Sequence, residues 1–262
     1  MKARLSFPLA QVSYRAMRVW QRNLDTFLRL WTTESWPPFI EPVMYIVAMG
    51  FGLGAYVTQI EGLSFLQFIA PAFVATAAMF VASFECTFGS FVRMEYQKTF
   101  DAIISTPLNI EEVIAGEILW GATRAVFAAI GVLVIIAFFG LIRSPWALAA
   151  LPVALLEGLM FASLAMLFTA IAPAIDAFNY YITLGITPMF LFSGVFFPLN
   201  QLPQPVQALA WLSPLTHAVS LQRALALGEL SWSLAGDLLW IAVLALIALN
   251  GSLALMRRRL IK

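Results

Sequence analysis

The chain has 262 residues and a formal net charge of +1, with 61% of its residues hydrophobic and 11% charged, against roughly 45–50% apolar and about 25% charged in an ordinary soluble domain. Lipid must therefore solvate much of its surface, and no charge excess points to nucleic acid. The single cysteine, Cys86, excludes a disulfide framework and a cysteine metal cluster; it reads as a packing residue.

The first thirty-odd residues lack the continuous apolar core and small-residue cleavage site of a secretory signal. Within residues 8–31, Leu9, Val12, Ala16, Trp20, Leu24, Phe27 and Trp31 recur at helical spacing, while Arg15, Arg18, Arg22 and Arg29 form a second stripe. Too charged to cross a bilayer, this segment is expected to lie along the inner leaflet. Six stretches then have the length and apolarity of transmembrane helices, at 37–57, 68–91, 118–139, 146–171, 181–197 and 238–256. The expected fold class is an all-α membrane protein forming a single transmembrane domain. Lys and Arg number 12 on one side of these spans and 2, Arg143 and Arg223, on the other. The basic side is cytoplasmic by the positive-inside rule, so both termini are expected there.

Glycines 50 and 54 in the first span have GxxxG spacing, suited to close packing against another helix. After the second span, Phe100, Ile103 and Ile104 form a short apolar face that Pro107 ends. Asn109 with Glu112 reads as an N-cap and its N3 partner, so a helix is expected to begin near Ile110 and run into the third span. After the fifth span, Pro198, Pro203, Pro205 and Pro214 break the chain, while 206–212 and 218–227 stay apolar without being long enough to cross. Re-entrant or interfacial half-helices are expected over 198–227.

An ionisable group in hydrocarbon costs about 2.5 kcal/mol or more, so each is a candidate functional residue. Glu85 and Arg124 sit at similar depth and are expected to pair, either fixing helix packing or lining a path. Glu157, nearer mid-membrane, has no basic partner in sight. Pro188 interrupts the fifth span beside Gly185 and Thr187, and Tyr180, Tyr181, Thr183, Thr187 and Ser193 make that helix the expected cavity wall. Catalytic residues are not expected: His217 is the only histidine, which excludes HExxH, and none of Lys2, Lys98 or Lys262 stands in a phosphate-cradling GxxxxGK[ST] loop. No metal site and no cofactor bound by this chain are expected; any ATP must be bound by another polypeptide.

Five stretches carry a family resemblance: FECTFGSFVRMEYQKTFDAIISTPLNIEEVIAGE (84–117), FASLAMLFTAIAPAID (161–176), ITPMFLFSGVFFPLNQL (186–202), LSPLTHAVSLQR (212–223) and RRRL (257–260). They resemble membrane permeases of the ABC type-2 exporter family, within it the nodulation lipo-oligosaccharide exporter subfamily. The resemblance implies a coupling helix over 99–105, with Thr99, Phe100, Asp101, Ile103, Ile104 and Ser105 meeting an ATPase. It also implies two copies of this subunit with two cytoplasmic ABC ATPase subunits that hold ATP and Mg, location in the bacterial inner membrane among its lipids, and export of an amphipathic substrate such as a glycolipid, lipo-oligosaccharide, polysaccharide or drug. Two rivals from other classes are an ion-coupled secondary transporter or channel using Glu85, Glu157 and Arg124, and a membrane enzyme centred on His217 and Glu157.

Overall fold

The computed structural model describes residues 8–34, 37–57 and 59–261. Ten helices carry the architecture among these residues: α1 (Ala16–Arg29), α2 (Pro37–Phe51), α3 (Phe65–Tyr96), α4 (Thr99–Ile104), α5 (Ile110–Phe138), α6 (Pro145–Ile171), α7 (178–192), α8 (Gln204–Leu212), α9 (Pro214–Leu227) and α10 (Ser233–Leu260). A two-stranded hairpin, Gln59–Ile60 with Leu63–Ser64, joins α2 to α3.

Four helices, α3, α5, α6 and α10, are long and apolar enough to cross a membrane. At 27–32 residues and about 1.5 Å per residue, each exceeds the roughly 30 Å hydrocarbon thickness. The other two expected spans are shorter. The first stops at Phe51, where Gly52 leaves the α-helix for a 3-10 turn. The fifth begins earlier and ends at Phe192 instead of running to 197, because Gly194, at φ +76°, turns the chain away. The third starts at Ile110, as the capping pattern predicts: a Glu112 carboxylate oxygen accepts from the Asn109 amide at 2.8 Å.

Small residues set the packing of α3, α5 and α6. A Cβ on Gly121 would lie 2.7 Å from Cys86 Sγ, and one on Gly158 would lie 2.7 Å from Ala125 Cβ, so the helix backbones approach more closely than larger residues permit. Cys86 is fully buried at this contact. Glycines 50 and 54 serve packing within the chain, against Leu66 and Phe65.

Two helices are irregular. Residues Glu85–Gly89 and Val92–Tyr96 of α3 adopt π-helix, as do Tyr181–Ile186 of α7. In α7 the widened turn immediately precedes Pro188, which has no amide hydrogen and crowds the preceding turn; the π segment absorbs both defects. After it, α8 and α9 meet at Ser213. With 9 and 14 residues, they reach only about 14 and 21 Å and cannot cross.

Candidate functional site: a charged knot between α1, α3 and α5

Helix α5 carries Glu117 two turns in from its capped start, and the side chain is completely buried. One carboxylate oxygen accepts from Asn23 Nδ2 at 2.9 Å and Arg22 Nη2 at 3.2 Å. The other accepts from Ser90 Oγ at 2.8 Å and from Arg93 Nε and Nη2 at 2.9 and 2.6 Å. Donors on both oxygens are what a buried carboxylate requires. Arg93 also reaches Glu85 at 2.8 Å, and Glu85 lies 3.9 Å from Arg124. Glu85 and Arg124 are therefore neighbours as expected, but Arg93 is the closer partner. The Arg124 guanidinium sits 4.7 Å over the Phe27 ring.

The π turns of α3 make this assembly possible. Eight residues of uninterrupted α-helix would leave Arg93 about 80° around the helix from Glu85. One extra residue absorbed by a π-bulge reduces the offset to about 20°, bringing both onto one face. Sequence spacing based on 3.6 residues per turn misses that pairing. It also misses Glu117, which falls one residue outside the expected third span.

The first helix docks onto α5 through side chains as well as through its apolar face. Trp20 Nε1 donates to Thr123 Oγ1 at 2.9 Å, and Phe27 stacks on Phe127 with ring centres 5.7 Å apart. Gly116 admits the contact, since a Cβ there would lie 2.6 Å from both the Ala16 carbonyl oxygen and Val19 Cβ. Arg22 thus leaves the arginine stripe expected along α1; Arg15, Arg18 and Arg29 remain exposed, while Arg22 turns inward to Glu117.

The same end of the bundle holds α4, whose orientation corrects the sequence expectation. Phe100 is fully buried and secures the helix to its own chain, so it is not a surface for a partner. The exposed positions are Asp101, Ala102 and Ser105, with Thr99, Ile103 and Ile104 half-buried. Lys98 precedes it at φ +53° and makes the sharp turn out of α3. Nearby, Arg257 pairs with Glu111 at 2.9 Å and Arg259 with Glu95 at 2.9 Å, tying the basic end of α10 to this surface.

The remaining expected site residues separate. Glu157 is fully buried in α6 with the Gln222 side chain beside it; it does not join the knot. On α7, Tyr181 turns toward Ser83, with 3.5 Å between hydroxyls; just past the end of α7, buried Ser193 pairs with Ser213 at 2.7 Å. Tyr180, Thr183 and Pro188 are exposed on the opposite face, with Leu184 and Leu191, while Thr187 is half-buried. His217 has both ring nitrogens engaged, by Asp237 Oδ1 at 2.7 Å and the Trp211 carbonyl at 2.9 Å, and its ring stacks on Trp240. It pins α9 to α10 and leaves no nitrogen for proton transfer. Among the described residues, no group of His, Cys, Asp and Glu could hold a metal ion.

Comparison with known proteins agrees with the membrane architecture. A family model described as ABC-2 type transporter matches residues 14–227. Nodulation protein J of Rhizobium meliloti is 37% identical over 242 residues, 92% of each chain, and that of Rhizobium leguminosarum bv. trifolii is 38% identical over 244 residues, 93% of each. The inner membrane transport permease YadH of Escherichia coli is 27% identical over 203 residues, 77% of this chain and 78% of its own.

Proposed function

The chain belongs to the ABC-2 type transporter family, and on that premise we propose that it is the permease subunit of an ATP-binding cassette exporter, working as a homodimer with two copies of a separate ATPase. In this reading α2 and α7 complete a six-helix membrane domain. Both termini and the Arg-rich end face the cytoplasm, α8 and α9 form the external half-helices, and ATP and Mg are held by the partner.

The observation that carries the reading is the setting of α4. It projects Asp101, Ala102 and Ser105 outward, while Phe100 is buried beneath it and the helix packs on the end of α3 and on α5. A push delivered on the exposed side passes through Phe100 to the two helices that meet at Arg93 and Glu117. The stripe of Tyr180, Thr183, Leu184, Pro188 and Leu191 on α7 is uncovered in the single chain; its mixed polarity suits a second copy and an amphipathic cargo between them. The cargo proposed is a glycolipid, lipo-oligosaccharide, polysaccharide or drug, in keeping with relatives named for nodulation.

Reconstitution tests this. In proteoliposomes carrying this chain and its ATPase, Asp101→Arg with Ser105→Trp should reduce ATPase association at least tenfold, and Phe100→Asp should abolish transport. Transport driven by an ion gradient with no ATPase present would overturn the reading in favour of a secondary transporter.

A further inference from the structure

A cavity of about 390 Å³ opens at the end of the bundle opposite α4, a volume within the range of small-molecule sites. Helices α3 and α10 fix that placement: both start at its wall, with Phe68 and Ser233, and both run to the α4 end, where Arg259 meets Glu95. The charged lining is mixed, with Arg223 standing beside Glu61 and Glu229. Arg223 is held from two sides. Its Nε donates to the Phe68 carbonyl at 3.0 Å and its Nη2 to the Gly194 carbonyl at 2.8 Å, while the guanidinium lies 3.9 Å over the Phe68 ring. Both carboxylates steady its charge, yet neither closes an ion pair with it, and Nη1 makes no hydrogen bond among the described residues. Thr216 and Ser220 give their hydroxyl protons to the Ala210 carbonyl and to Asp237. The Asn200 side-chain amide makes no hydrogen bond among the described residues, and Trp211, 52% exposed, adds an aromatic wall.

We propose that this cavity binds a saccharide. Its lining calls for a ligand that donates and accepts at once. A bare anion would meet two carboxylates, and a bare cation a fixed guanidinium, whereas each sugar hydroxyl carries one donor and two acceptor sites. Such hydroxyls can donate to Glu61 and Glu229 in charge-assisted bonds and accept from Arg223 Nη1 and the Asn200 amide. Arg223 is already anchored by two carbonyls, so its ordering costs the ligand little. The C–H face of a sugar ring is apolar and suits the indole of Trp211, a side chain at home where one partner is apolar and the other wet. The proposal rests on the exporter reading in one respect: that reading puts this end of the bundle outside, where the sugar part of an amphipathic cargo arrives after crossing.

The purified full-length chain is placed in phosphatidylcholine nanodiscs, because the maltose head of dodecylmaltoside is itself a saccharide, and is read by saturation-transfer difference NMR. Maltose, cellobiose, lactose and N-acetylglucosamine are the sugar probes; glycerol 3-phosphate, choline and glycerophosphoethanolamine are the anionic, cationic and zwitterionic ones. At least one sugar should give a signal about tenfold above every charged probe, and lose it in Ser231→Trp, which fills the cavity without changing its charge. Glu229→Gln combined with Asn200→Ala, both at exposed positions, should weaken sugar binding about tenfold. Trp232→Ala removes an exposed indole outside the cavity and should leave binding unchanged. Should Ser231→Trp fail to fold, the double variant decides. No signal from any sugar, an equal or stronger signal from a charged probe, full binding by either cavity variant when folded, or equal loss in Trp232→Ala would overturn the proposal. The assay contains no ATPase and no transport step. Absence of sugar binding therefore strikes the site and leaves the exporter reading, while gradient-driven transport without an ATPase strikes that reading and leaves the site.

Discussion

Replacing Glu117 by Ala tests whether the charged knot holds α1, α3 and α5 together. Removing one member of a buried ion pair costs about 3–5 kcal/mol. Arg93 retains Glu85 at 2.8 Å, so its share falls at the low end, about 3 kcal/mol. Asn23 Nδ2 and Ser90 Oγ lose their acceptor, which adds about 1 kcal/mol. The expected loss is about 4 kcal/mol. Glu85→Ala removes a carboxylate that is partly exposed and leaves both Arg93 bonds to Glu117 in place, so it should cost about 1 kcal/mol. Unfolding of the purified chain in dodecylmaltoside with rising mole fractions of SDS, followed by far-UV circular dichroism, measures both. A loss under about 1 kcal/mol for Glu117→Ala, or a larger loss for Glu85→Ala, would refute the view that Glu117 is the centre of the network.

Other changes report on separate contacts. Gly116→Ala puts a methyl group 2.6 Å from the Ala16 carbonyl and Val19; it should cost about 1–3 kcal/mol by overpacking and expose α1 to limited proteolysis, whereas Gly185→Ala, with nothing within 4 Å, should leave the proteolytic pattern unchanged. Asp237→Ala deprives both His217 and Ser220 of an acceptor and should lower stability by about 2 kcal/mol in the same SDS titration. Lys98→Gly relieves a left-handed residue at the turn into α4 and should raise stability by up to about 1 kcal/mol, read as a shift of the unfolding midpoint.

Much of this fold is legible in the sequence because lipid imposes length and apolarity together. The helices α3, α5, α6 and α10 announce themselves in that way, and Asn109 with Glu112 marks the start of α5 through local chemistry. The neighbouring positions of Glu85 and Arg124 follow from depth alone. What escapes has a common cause: it depends on departures from regular helix. Arg93 comes over Glu85 only because α3 widens into π turns, and nothing in the residue types marks that extra residue. The early end of α7 rests on the left-handed backbone at Gly194. For Phe100, an apolar face shows that a helix has a buried side but not which body covers it; here the chain covers its own.

The attachment of α1 also orders the protein's biosynthesis. Its principal polar anchor pairs Arg22 and Asn23 with Glu117, 95 and 94 residues further along the chain. At roughly 5–20 residues per second, the ribosome delivers that carboxylate about 5–20 s after the arginine. Until then, α1 lacks that anchor, while α2, α3 and α4 are made. Helix α1 is therefore fixed only after these three have been made, and a nascent chain arrested before Glu117 should carry it undocked.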